Sequence, residues 1–184
     1  MNLWSLPTTA TIGGTEYSLN TDYRDILQIF EYLNDLDSPE WLRWQIAIAL
    51  FFEGEIPEEH QSEAMQYLAD FISCGEQEEK PGPKLLDWEQ DAPVIAADIN
   101  KAAGMEIRTV EYLHWWTFMA FFRALGEGQL LTVVSIREKL RTGKQLEKWE
   151  KEFYHKNKKQ VDLKKRYSTE ELAEQERLKQ LLGE

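Results

Sequence analysis

A single cysteine, Cys74, stands in the 184 residues. That excludes an intrachain disulfide and fits a reducing compartment. No long apolar run is present. The most apolar stretch, Ile46 to Phe52, falls far short of the roughly 20 residues that span a bilayer. The opening MNLWSLPTTA lacks the basic region and apolar run of a secretory signal. The expectation is a soluble, cytoplasmic protein without a membrane partner. Phosphate-cradling glycine loops, HExxH and CxxC are missing from the sequence, which removes the commonest nucleotide and metal signatures. The three histidines, His60, His114 and His155, stand at no metal-ligand spacing from one another or from Cys74. No cofactor or metal is expected.

What the chain does have is apolar content and acid. Hydrophobic residues make up 42% and aromatics 12%, enough for a packed core in a chain of this length. The net charge of −12 is unevenly spread. Residues 1–105 hold 20 Asp and Glu against 5 Lys and Arg, and residues 106–184 hold 13 against 16. An acidic front half repels phosphate backbones, so no nucleic-acid partner is expected there. The basic run Lys156, Lys158, Lys159, Lys164, Lys165, Arg166 reads as the solvated face of a helical tail. The asymmetry also permits head-to-tail self-association, acidic surface on basic.

Residues 9–19 form two short strand-like runs around Gly13-Gly14, a hairpin signature. Helical spacing then dominates. Asn20 or Thr21 caps a first helix with apolar Tyr23, Ile26, Leu27, Phe30, Leu33 and Leu36. Ser38-Pro39 opens a second, capped by Ser38 and apolar on most sides through Trp41, Leu42, Trp44, Ile46, Ile48, Leu50 and Phe51, which places it centrally. Pro57-Glu58-Glu59 starts a third with Ala64, Met65, Leu68 and Phe71 inward, and Gly75 stops it. Gly75 to Lys84, polar with two prolines, reads as a loop or linker. A fourth helix begins near Asp87, turns Trp88, Val94, Ile95, Ile99 and Ala102 inward, and closes at Gly104. Thr109 caps a fifth running to Leu125. A sixth, about Leu130 to Arg141, carries Leu131, Val134, Ile136 and Leu140. Beyond Gln145 the stripe narrows to Leu146, Trp149 and Phe153. Ser168 to Glu171 is a capping-box pattern for a final polar helix. The fold class is therefore mainly α: a compact helical domain of about six to seven helices over residues 1–165, with a small N-terminal β-hairpin, and a polar helical tail over residues 166–184.

Three features are candidates for chemistry or recognition. Asp87 and Asp91 lie four apart, a spacing that can hold a metal or do acid–base work. The alternative is a capping role for Asp87 and an exposed or Arg-paired role for Asp91, and this is preferred. Cys74 with His114 as base could make a nucleophile, but a structural cysteine near a helix end is the expectation. His114, Trp115 and Trp116 place three rings in succession. They read as a core helix with His114 hydrogen-bonded at its edge, or as a binding hot spot.

The run Asn20-Thr21-Asp22-Tyr23-Arg24 after the hairpin, the Asp87-x-x-x-Asp91 pair with Ile95, the element Leu113-His114-Trp115-Trp116-Thr117-Phe118, then Ile136-Arg137 and Lys144 come in a characteristic order. Over about residues 8–165 this order resembles the "gp fifteen" family of siphophage and prophage proteins. The resemblance implies a non-enzymatic tail-assembly chaperone, encoded beside the tape-measure gene and working in the host bacterial cytoplasm. Its partners would be the tape-measure protein and other tail-assembly proteins. Asp22, Asp87, Asp91, His114, Trp115 and Trp116 become family-motif and interface candidates. The alternative is a virion structural protein, such as a head–tail connector or tail-completion protein.

Overall fold

Gly13 and Gly14 both take positive φ, 56° and 80°, the conformation a two-residue hairpin turn requires. They join β1 (Thr9–Ile12) to β2 (Thr15–Ser18) in an antiparallel pair, Ile12 opposite Thr15 and Thr9 opposite Ser18. Helices follow: α1 (Tyr23–Leu33), α2 (Glu40–Phe51), α3 (Gln61–Ile72), α4 (Ala92–Ala103), α5 (Trp115–Arg123), α6 (Gln129–Arg141), α7 (Lys148–Lys156), the single turn α8 (Lys158–Val161) and α9 (Thr169–Leu182). Short 3-10 turns at Glu58–His60 and Ile107–Thr109 precede α3 and α5. The computed structural model describes residues 4–76 and 82–182. The protein is mainly α with a small N-terminal hairpin, as its periodicity implies. The linker expected at Gly75 to Lys84 falls partly on residues 77–81, outside the described residues. Its described ends, 75–76 and 82–84, carry no helix or strand.

The described residues gather into two units interleaved in sequence. The first holds 7–20, 24–69 and 165–182, and the second holds 4–6, 21–23 and 70–164.

In the first unit Ala10 and Ile12 point inward from β1, and Ile26, Ile29, Ala47, Phe51, Phe52, Ala64 and Leu68 complete the core. Backbone groups anchor the hairpin. Asn20 donates through its amide to Phe51 O and through Nδ2 to Leu50 O, both at 2.8 Å. The Gly13 amide donates to Glu63 Oε2 at 3.0 Å, and the His60 ring lies against Gly13 so closely that no Cβ would fit. Three expectations need correction. Ser38 does not cap α2: its hydroxyl donates to Asp35 Oδ2 at 2.6 Å, so Pro39 takes the cap position without a side-chain bond. Second, α2 is not central. One face is buried through Ala47, Ile48 and Phe51, while Trp41 is 63% exposed. Third, Leu36 lies beyond the end of α1 and is exposed, and Ile29 takes the core position. As expected, Ser168 and Glu171 cap α9 reciprocally, at 2.8 and 3.1 Å. Thr169 clasps Asp37 with amide and hydroxyl, at 2.6 and 2.8 Å.

In the second unit the stripes of α4, α5 and α6 meet: Val94, Ile95 and Ile99; Trp115 and Phe118; Leu130, Val133 and Ile136. Here too the expected boundaries shift. α4 begins at Ala92, because Asp87 spends its carboxylate on a preceding turn, and Ala102 is exposed. Thr109 does not cap α5. Its hydroxyl donates to Glu106 O within the 3-10 turn, and His114 caps the helix instead. The intervening residues run extended because Leu113 and His114 bridge the Asp22–Tyr23 backbone. In α6, Ile136 is buried as expected, but Leu130 and Val133 rather than Leu131 and Val134 face the core, and Leu131 and Leu140 are exposed. Leu146 and Phe153 pack on Val133, Ile136 and Val161, whereas Trp149, read as part of that stripe, is 57% exposed.

Candidate functional site

All six candidate residues fall in the second unit, around two centres. The first centre is the start of α5. Asp22 Oδ2 accepts the Leu113 amide at 2.9 Å, and Tyr23 N donates to Leu113 O at 2.9 Å. This holds the backbone that presents His114. His114 is buried, and its Nδ1 accepts the Trp116 amide at 3.0 Å. It thereby satisfies one of the orphan donors at a helix start. The Trp115 indole donates to Ile72 O and the Trp116 indole to Phe71 O, each at 2.9 Å. Two successive indoles thus cap carbonyls at the C-terminal end of α3, where helix acceptors lack internal partners. Trp115 is buried at 1% exposure and stacks on Phe118, while Trp116 is half-buried.

The second centre is a buried ion pair. Arg137 is 5% exposed and Asp91 fully buried. Arg137 Nη1 and Nη2 meet Asp91 Oδ2 and Oδ1 at 2.6 and 2.8 Å, the bidentate geometry a guanidinium favours. Its remaining N–H groups go to the carbonyls of Val161, Leu85 and Gln160, at 2.7, 2.9 and 2.8 Å. All five donors of the fork are used. Asp87 Oδ1 accepts the Glu89 and Gln90 amides, and Lys84 lies 3.1 Å from Oδ2. Gln90 extends the staple. Its Nε2 donates to Gln160 O and Asp162 O, and its Oε1 accepts the Lys164 amide at 2.9 Å. Residues 85–91 therefore hold residues 160–164 in place. Trp88 carries this centre to the first one, with its ring 5.9 Å from Trp115.

The sequence allows an arginine partner for Asp91 without saying which one, and it does not point to Gln90. Arg137 was legible as a cation set within the apolar stripe of α6. Gln90 offered no signal, since a glutamine in a turn is ordinary.

The chemistry this arrangement supports is structural. Asp91 faces a saturated guanidinium, and Asp87 is spent on backbone amides and a lysine. Burial pushes the Cys74 thiol upward in pKa, away from the reactive thiolate. Among the described residues no group of three or more His, Cys, Asp and Glu could hold a metal ion. No described helix is long and apolar enough to cross a membrane.

The surface supplies a different kind of candidate. In the first unit, α2 and α3 border an open cleft of about 320 Å³ lined by Glu40, Trp41, Trp44, Ile48, Gln61 and Met65. In the second unit Tyr112, Leu131, Leu140 and Trp149 are each more than two-fifths exposed.

A family model described as Bacteriophage Gp15 protein matches residues 4–163. The match ends within the 160–164 segment held by Arg137 and Gln90, and α9 lies past it. No curated protein and no solved structure matches the chain. The chain belongs to the bacteriophage Gp15 family.

Proposed function

From that membership we propose that the protein is a non-enzymatic tail-assembly chaperone, which binds the tape-measure protein during tail morphogenesis in the host bacterial cytoplasm. The observation that carries the reading is the contrast between its polar and apolar residues. The chemistry-bearing side chains are consumed in holding the frame, while large apolar side chains stand uncovered on several helices. A tape measure is a long helical protein with an apolar stripe, and such a stripe docks on exposed apolar helix faces. Tyr112, just before α5, and Leu131, on α6, are exposed and lie within the family match, and they are the proposed contacts for that partner. Asp22, Asp87, Asp91, His114, Trp115 and Trp116 serve by fixing this frame.

Mass spectrometry of purified virions tests the reading. A chaperone is left behind when the tail is complete, so its peptides should be absent. Peptides present in stoichiometric amount would make it a virion structural protein, such as a connector or tail-completion protein.

A further inference from the structure

The two most exposed tryptophans of the helices sit in opposite electrostatic surroundings. Trp41 stands at the start of α2 and lines the α2–α3 cleft with Trp44, Ile48 and Met65. Glu40 lines the same cleft, and the exposed Glu58 begins the turn leading into α3 at Gln61. The whole unit, with residues 165–182, holds fifteen Asp and Glu against six Lys and Arg, and its residues 7–20 and 24–69, which include the cleft, hold eleven against two. One of those two cations, Arg43, is turned to the Leu33 carbonyl at 2.9 Å. The cleft is therefore an apolar floor in an acidic field.

Trp149 projects from α7 at 57% exposure. The same helix carries the exposed Lys148, Lys151 and Lys156 against the exposed Glu152 and the exposed Glu147 at its cap. Residues 144–164 carry seven Lys and Arg against four Asp and Glu. This is an aromatic knob on a basic helix. Buried aromatic anchors inside a rim of complementary charge dominate interface energies. A cleft of about 320 Å³, at the small end of ligand-sized pockets, suits one large side chain and its immediate neighbours.

We propose that the protein self-associates head to tail, the basic Trp149 face of α7 on one copy seating in the acidic α2–α3 cleft of the next. A symmetric contact is disfavoured at both patches. Cleft against cleft would gather acids, and α7 against α7 would gather lysines. A contact made once per pair between these two different patches is heterologous. It leaves one knob and one cleft unfilled on every pair, so it continues to a ring or an open filament. The inference does not rest on the tape-measure reading, though repeated copies would suit a long partner.

The test uses the full chain and sedimentation. The wild type should grow past two copies as its concentration rises, and more weakly at high salt, since exposed charges are screened beyond about 8 Å at physiological ionic strength. Trp149→Glu and Trp41→Lys should each weaken association by about tenfold or more while keeping the wild-type melting temperature. Mixing the two variants restores one intact contact per pair, so the mixture should form a one-to-one dimer and stop there. If either variant fails to fold, Lys148→Glu with Lys156→Glu supplies the knob-defective partner and Glu40→Lys the cleft-defective one. A wild type that stays monomeric at low salt, or stops at a dimer, would overturn the proposal. So would a variant mixture that stays monomeric.

Discussion

Arg137 occupies a place in α6 where the apolar stripe would otherwise take a leucine, and five hydrogen bonds make its burial tolerable. Removing one member of a buried pair leaves the other charge uncompensated. Arg137→Met should therefore cost about 3–5 kcal/mol, read as a drop in the urea midpoint. Adding Asp91→Asn to it should recover part of that loss. A second pair gives a pH signature. Lys139 donates to both oxygens of the buried Glu150, at 2.6 and 2.8 Å, and holds its carboxyl below the ordinary value of 4.5. A carboxylate lowered in the folded state contributes stability above its unfolded value and loses it as pH falls through the folded one. The melting-temperature gap between wild type and Lys139→Met should be widest near neutrality and close as the pH drops below about 4.5. A gap that stays constant into acid would detach Glu150 from the effect. The two indoles also differ. Trp115→Ala should cost about 3–5 kcal/mol as a buried ring is lost, and Trp116→Ala, half-buried, should cost less. Equal melting shifts would contradict the difference in burial.

At the level of elements, the hairpin, the helical class and the capping box of α9 were legible because each depends on local chemistry: positive φ at Gly13 and Gly14, 3.6-residue spacing, and Ser168 facing Glu171. The misreadings arose where distant partners decide. The start of α5 moved from Thr109 to His114 because Asp22 and Tyr23 bind the Leu113 backbone. Nothing near Thr109 in sequence announces that bridge. Trp149 fits the stripe of α7 by spacing but lies outside it, since Leu146 and Phe153 already meet the Val133–Ile136–Val161 cluster. The candidate residues were recognised by type and order. Their work as caps and staples was partly foreseen for Asp87 and Asp91, and the carbonyl-capping role of the indoles was not. For α9 the local and distant signals agree. The helix is clasped at its start by Asp37, and Leu172 and Leu178 are about half exposed. The side chains of Leu181 and Leu182 lie outside those described. Deleting residues 168–184 should leave the thermal melting transition nearly intact. A fall of many degrees would show that α9 packs as part of the core.

Across the whole molecule, polar bonds made by buried side chains fix a frame, and its helices leave aromatic and aliphatic side chains uncovered. Tyr112 and Leu131, exposed in the second unit, are proposed to receive the tape-measure protein. The direct measurement is co-expression with the tape-measure gene, followed by separation of soluble from insoluble material and a high-salt wash of the complex. A soluble tape measure that stays bound in high salt is expected, because apolar contact survives when charge is screened. A tape measure that remains insoluble beside this protein would contradict it.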